Sequence, residues 1–239
     1  MSIPIDRKIQ TLIICCLIFM GSLVVADFTS VKLVEFMLFD QGLLIPMGTF
    51  AFAATFLSTD IISELFDRVH AVFIVWFGVV LRFLLMLYIY WSIGDDNGQV
   101  ALFSMPVFWS SEQQSHYEFV FSASIMIFIA GFVAIIVSSL LDVYVFHYLK
   151  EKHKGKNLFW LRNNVSTLFG QLINSTLFIA IAFASILSIK EIILAISGQL
   201  LIKWIIAFFV DTPLAYTFRN YGNGNKQWYA IWKIEFWKG

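Results

Sequence analysis

Residues 45–66 read IPMGTFAFAATFLSTDIISELF, an apolar run that admits two carboxylates, Asp60 and Glu64, at its end. Its length matches the ~20 residues that carry a helix across a bilayer. Positions four apart on a helix lie within roughly 40° of one another, so Asp60 and Glu64 face one direction. Carboxylates in hydrocarbon are costly and persist where they face a bundle interior, a partner or a water-filled path. Arg82, Asp142, Lys203 and Asp211 also stand inside or at the edge of apolar stretches. Polar groups kept in the spans in this number point to a membrane protein that handles a polar solute.

Composition agrees. The 239 residues are 59% hydrophobic and 13% charged, with mean hydropathy +0.80, whereas a soluble domain carries about a quarter charged residues. The net charge is zero, which argues against nucleic acid as a partner. Cys15 and Cys16 are adjacent in an apolar run. Neighbours on a helix point about 100° apart, so they read as lipid-facing or core packing, with no metal role. Arg7 and Lys8 before the apolar run 9–26 resemble a secretory signal, but the run exceeds the usual ~7–15-residue signal core and more spans follow. An uncleaved first helix is expected.

Six spans are expected, at about 9–30, 43–66, 71–93, 118–149, 165–188 and 191–217. The fold class is therefore all-α: a polytopic membrane domain over 1–217, followed by an interfacial tail, 218–239, rich in tryptophan and lysine. With the N-terminus inside, the inner segments hold twelve Lys and Arg and the outer ones only Lys32 and Lys190. That asymmetry places both termini in the cytoplasm. The 92–117 loop, with Asp95, Asp96 and Glu112 and no Lys or Arg, faces outward.

Thr167, Gln171, Asn174 and Phe178 recur at i, i+4, i+7 and i+11 and draw one stripe on the fifth helix. Arg162, Asn163 and Asn164 stand just before it. Amides offer two donors and an acceptor, which suits a heterocycle with mixed edges, although amides also tie neighbouring helices together. Each remaining polar group has a purely structural alternative. Asp60 and Glu64 could cap a helix end or pair with Arg68. Lys150 or Arg162 could neutralise Asp142, and Arg82 could be the buried partner of a carboxylate. Lys203 and Asp211, two turns apart on one face, would each pair across the bundle, with Gln199 extending that face. Phe178 and Phe50 could stack on a planar ligand.

The stretch LFWLRNNVSTLFGQLINSTLFIAIAF, residues 158–183, resembles the fifth-helix signature of the queuosine precursor transporters. SLVVADFTSVKLVEF, IPMGTFAFAATFLSTDIISELFDR, LLDVYVFHYLKEK and GQLLIKWIIAFFVDTPLAY resemble further segments of that family, so the likeness runs from about 20 to 220. It implies a six-span carrier in the bacterial inner membrane that imports 7-deazaguanines such as preQ0 or preQ1 for tRNA modification. One departure is that the family pattern has an aspartate where this chain has Asn174.

The substrate-binding set expected from these readings is Asp60, Glu64, Asp142, Arg162, Asn163, Asn164, Gln171, Asn174, Lys203 and Asp211. No cofactor or metal is called for. The partners are a small deazapurine base and the lipid bilayer, and a homo-oligomer is allowed. No phosphate loop, HExxH helix or GxSxG elbow occurs, and the aspartates lack the flanks of an intramembrane protease, so a carrier is expected rather than an enzyme. The alternative is a membrane-embedded binding subunit of a multi-component vitamin-type importer.

Overall fold

A computed structural model describes residues 6–38, 41–94, 110–155 and 158–224. The chain runs as α1 (Arg7–Thr29), β1 (Leu33–Leu38), β2 (Gln41–Pro46), α2 (Gly48–Leu65), α3 (Arg68–Ile93), α4 (Ser111–Lys152), α5 (Phe159–Phe183), α6 (Ile189–Ile206) and α7 (Thr212–Gly222). Five helical stretches, α1, α3, α4, α5 and the continuous Ile189–Gly222, are long and apolar enough to cross a membrane. The protein is a mostly helical, polytopic membrane protein.

α2 falls outside that group because it is shorter and more polar, and its position explains why it can be. Thirteen of its 18 residues are buried, so the other helices surround it and lipid does not test its composition. Outward faces of the surrounding helices carry exposed Leu17, Phe73, Phe77, Leu84 and Phe209, as a lipid-facing surface requires. α4 has 42 residues, about 63 Å at 1.5 Å per residue, and so overshoots a ~30 Å hydrocarbon core, as its sequence suggested.

The expectation of an all-helical chain needs one correction. β1 and β2, Leu33–Leu38 and Gln41–Pro46, pair as an antiparallel hairpin with Leu33 opposite Pro46 and Leu38 opposite Gln41. The second span, expected from 43, starts at Gly48 instead. Pro46 closes the strand and Gly48 lets α2 begin close to α1. A Cβ on Gly48 would collide with Ser30 and the Ala26 carbonyl. On the other flank, Gly198 of α6 brings that helix within contact of Leu43 and Leu44.

Local chemistry sets the remaining ends. Ser110 and Ser188 each form a reciprocal capping box, with Gln113 and Glu191 respectively. Asp67 caps α3 through the His70 amide, and hydrogen bonding from the His70 side chain holds the Asp67 carboxyl below its ordinary range. Between α6 and α7 the helix widens into a π turn, Ala207–Asp211. Pro213 lacks an N–H and crowds the carbonyl four residues back, and the Thr212 hydroxyl donates to the Ala207 carbonyl at 2.8 Å. α7 continues to Gly222, past the expected tail boundary at 217; the tail beyond 224, like the 95–109 part of the outer loop, lies outside the described residues.

The chain's first and last described helices meet at one end of the bundle. The Tyr221 hydroxyl bonds Gln10, and the Arg7 guanidinium lies 5.3 Å from the Tyr221 ring centroid. The hairpin lies at the other end. Cys15 packs in the apolar core with Phe19, Phe56 and Ile62, and Cys16 lies at its margin.

Candidate functional site

Polar side chains line an axis between these two ends in three layers, and α5 runs the length of it. Arg162, Thr167, Gln171, Asn174 and Phe178 are all buried. The 3.6-residue repeat read in the sequence therefore marks a face that points inward.

The layer nearest the hairpin surrounds a cavity of about 10 Å³, room for about one water. Asp27 of α1 and Ser30 just after it, Thr49 and Phe52 of α2, Arg82 of α3, Gly131 of α4, Asn174 and Phe178 of α5, and Gln199 and Lys203 of α6 line it. Arg82 and Asp27, both almost fully buried, form a two-pronged ion pair, with Nε donating to Oδ2 at 2.7 Å and Nη2 to Oδ1. Gly131 makes this possible, since a Cβ there would strike the guanidinium. Gln199 Nε2 donates to Thr49 Oγ1 at 3.1 Å. Lys203 Nζ donates to Asn174 Oδ1 at 2.9 Å and Ser175 Oγ at 3.2 Å, and Asn174 Nδ2 donates to Ser138 Oγ at 3.2 Å. Two polar atoms of this layer, Arg82 Nη1 and Gln199 Oε1, are buried with no hydrogen-bond partner.

The middle layer holds three carboxylates. Asp60 accepts from Thr167 Oγ1 at 2.9 Å and Ser166 Oγ at 3.4 Å. Asp142 accepts from Thr59 Oγ1 at 3.3 Å. Asp142 and Asp211 lie within electrostatic reach of Asp60. Among the described residues none of the three forms an ion pair. Asp142 Oδ1 and Asp211 Oδ2 are buried without a partner, as are both amide atoms of Gln171.

At the end that holds the chain's first and last helices, Glu64 gathers cations. Arg162 Nη2 donates to both its oxygens at 3.0 Å, Arg219 Nε lies 3.1 Å away and Lys150 Nζ 3.9 Å away. Lys150 also donates to the Ser63 and Glu64 carbonyls at 2.7 and 3.1 Å, closing the C-terminus of α2. A cavity of about 520 Å³ opens here among Glu64, Lys150, His153, Lys154, Arg162 and Arg219.

Several sequence readings change in this light. Asp60 and Glu64 do share a direction, toward α5, but they belong to different layers with different partners. Glu64 pairs with Arg162 and Arg219, not Arg68, whose guanidinium lies over the Tyr144 ring. Neither Lys150 nor Arg162 pairs with Asp142. Lys203 reaches across the bundle as expected, but to an amide and a hydroxyl instead of a carboxylate, and among the described residues Asp211 forms no ion pair. Asn163 and Asn164 donate to Thr212 Oγ1 at 3.4 and 3.0 Å, tying α5 to α7 away from the cavity. Phe50 is 48% exposed, and Phe52 takes the place beside Phe178 that was expected of it. Asp27, Ser30 and Thr49 were passed over as lining residues, while Gln199 lines the cavity on the Lys203 face on which the sequence placed it. Asp27 had a usable signal, being an acidic residue near the end of an apolar span in a chain with an arginine stranded in another.

A family model described as "Putative vitamin uptake transporter" matches residues 46–218. The "Probable queuosine precursor transporter" of Bacillus subtilis (strain 168) is 27% identical over 198 residues, which cover 81% of this chain and 78% of the relative. No solved structure matches the chain. The family match spans all three polar layers except Asp27 and Ser30, and the chain belongs to the vitamin uptake transporter family.

Proposed function

We propose that the protein imports 7-deazaguanine precursors of queuosine, such as preQ0 or preQ1, across the bacterial inner membrane. In this reading it has six spans, with α2 counted as one, and both termini are cytoplasmic. The shared end of α1 and α7 and the basic residues gathered there support that orientation under the positive-inside rule. The name carried by the Bacillus relative supports the substrate class.

The observation that carries the reading is the buried, unpartnered polar edge beside two aromatic rings. Arg82 Nη1 is a donor and Gln199 Oε1 an acceptor without partners, with Phe52 and Phe178 alongside. Buried polar groups are ordinarily hydrogen-bonded; a flat base with acceptors and N–H donors on its edges would complete both. The cavity must widen for such a ligand, and the polar axis offers the direction: Gln171 lies between Asn174 and the Asp60 layer along α5. In that enlarged site Gln171 and Asn174 replace the hydration of the base edge, and Asp60 offers acceptors to its N–H groups. Glu64, Arg162 and Arg219 act as the inner closure of the path. A homo-oligomer is compatible with this scheme and is not needed by it.

The test is uptake of labelled preQ0 and preQ1 into cells unable to make queuosine, with and without the full chain. Protein-dependent accumulation, followed by queuosine in tRNA, is expected. Equal accumulation with and without the protein refutes the proposal.

A further inference from the structure

We propose that the vestibule at the Glu64 end is a binding site for a phosphate group, carried either by inorganic phosphate or by the headgroup of an anionic lipid. It lies at the far end of the polar axis from the hairpin-side cavity, and nothing in it depends on which solute the protein carries.

The charge balance there is lopsided. Lys150, Lys154, Arg162 and Arg219 line a cavity of about 520 Å³ together with His153, and among the described residues Glu64 is the only carboxylate that lines it. Arginine keeps its proton in proteins, and Lys154 is exposed, so the cations outnumber Glu64 whatever Lys150 does. Asp67 lies within electrostatic reach of Lys150, but its carboxylate is turned to the His70 amide and ring. Among the described residues Lys154 forms no ion pair.

Hydrogen bonding points the same way. A guanidinium meets an oxyanion best through two parallel N–H bonds. At Arg162 both oxygens of Glu64 accept from Nη2 alone, at 3.0 Å, and Nε is buried without a partner. Arg162 is only 5% exposed, so bulk water does not make good the missing acceptor. Arg219 Nε lies 3.1 Å from Glu64 Oε1 but is not aligned to donate to it, and it too is buried without a hydrogen-bond partner. One planar carboxylate is thus shared by two forks and completes neither. A tetrahedral phosphate group carries acceptors out of that plane, and arginine forks with lysine point charges are the chemistry that recognises it.

The mouth of the vestibule opens at the depth where lipid phosphates lie. Tyr148 and Trp160, each two residues before a lining cation, are exposed, and Lys152 Nζ lies 5.9 Å from the Tyr148 ring centroid. Tyrosine and tryptophan with lysine mark the headgroup level of a membrane protein. The volume also admits a free phosphate from the aqueous side.

The experiment melts the full chain, purified in a neutral detergent, in two titrations. One exchanges sodium phosphate for sodium chloride at equal ionic strength; the other exchanges phosphatidylglycerol for phosphatidylcholine in the mixed micelles. At least one should raise the melting midpoint saturably, by about 3 °C or more at ten times its Kd. A rise with inorganic phosphate assigns the site to the free ion, and a rise with phosphatidylglycerol that inorganic phosphate does not reproduce assigns it to a lipid headgroup. Arg219→Gln should raise the half-saturating concentration by about tenfold. Lys154→Gln, on an exposed side chain, should raise it severalfold, and it decides the matter if Arg219→Gln does not survive purification. No saturable rise in either titration overturns the proposal. So does the same half-saturation in wild type and Lys154→Gln, since phosphate that stabilises only as an excluded solute does not sense that side chain.

Discussion

Gln171→Met should make the protein more stable and nearly inactive. Gln171 is fully buried, and both its amide nitrogen and its amide oxygen lack a partner. An unsatisfied buried polar group costs about 1–3 kcal/mol. The lower end applies here, because a helix inserted but unpacked in lipid also finds partners for its amides. Methionine nearly conserves the volume, and such swaps usually cost under about 1.5 kcal/mol. The net expectation is a gain of about 1 kcal/mol, or a melting midpoint in detergent raised by about 2–4 °C. If the amide serves a ligand, losing it weakens substrate binding by about 1–3 kcal/mol, one to two decades of affinity. Melting curves and labelled-base uptake, measured on equal amounts of membrane protein, give the two readouts. A fall in the midpoint would mean that the amide is bonded within the protein. Wild-type uptake with a raised midpoint would mean that Gln171 is an orphan with no part in binding.

Other substitutions separate the layers. Asp60→Asn keeps shape and removes charge; uptake should fall at least tenfold, and any pH dependence of wild-type uptake should flatten, whereas an unchanged rate and pH response would make Asp60 a structural acceptor for Thr167. Glu64→Gln strips Arg162 and Arg219 of their counter-charge, and breaking such a buried pair costs about 3–5 kcal/mol, so the melting midpoint should drop by about 10 °C; a drop under 2 °C would show that the cluster is solvated and weak. Gly131→Ala drives a methyl into the Arg82 guanidinium and should abolish uptake in protein that still inserts, which uptake assays on purified membranes would reveal. Reporter fusions after Gly224 and within 95–109 should read cytoplasmic and external respectively, and the reverse would overturn the proposed orientation.

Periodicity and charge made the helices legible, and with them the buried face of α5. Thr167, Gln171, Asn174 and Phe178 could be placed on one inward face because a helix offers no other geometry for that spacing. What spacing cannot supply is the partner across the bundle. Glu64 was open to Arg68 from sequence, being four residues away, yet Phe66 leaves the helix in an extended conformation and turns Arg68 toward Tyr144. The guanidiniums that reach Glu64 come from positions 98 and 155 residues on. The hairpin was missed for a related reason. Its apolar residues continue the hydropathy of the spans on either side, and Glu35, Asp40, Gln41, Gly42 and Pro46 are too few and scattered to mark two strands. Asp27 was hidden by the same averaging, since one acid at the end of an apolar helix looks like an interfacial residue until Arg82 is found against it.

The hydroxyls of α2 explain how a polar helix can sit at the centre and still let its neighbours move. Thr55 donates to the Phe52 carbonyl at 2.7 Å, Ser58 to Ala54 at 3.0 Å and Thr59 to Phe56 at 2.9 Å. These three hydroxyls bond within their own helix, which only slightly bends the backbone, and of the three Thr59 alone also reaches across the bundle, to Asp142 at 3.3 Å. Side-chain bonds from α2 to other helices fall at three heights: Thr49 to Gln199, Asp60 and Thr59 to α5 and α4, and Glu64 to Arg162 and Arg219. The first is one neutral bond, backed on the hairpin side by apolar packing against Gly198. The last is a multi-cation cluster. For α2 itself, moving away at the hairpin side breaks one neutral side-chain bond, while moving away at the Glu64 end requires parting an ion cluster that water can resolvate through its 520 Å³ vestibule. Alternating access around a site between the two closures then has unequal gates. Raising ionic strength on the Glu64 side should ease that gate alone, because screening acts on the exposed part of the cluster and not on apolar packing. In inside-out vesicles, salt added outside faces the Glu64 gate under the proposed topology and should speed efflux-limited exchange of labelled base; salt confined to the lumen should leave it unchanged. Equal responses on both sides would mean that the Glu64 cluster does not close the path.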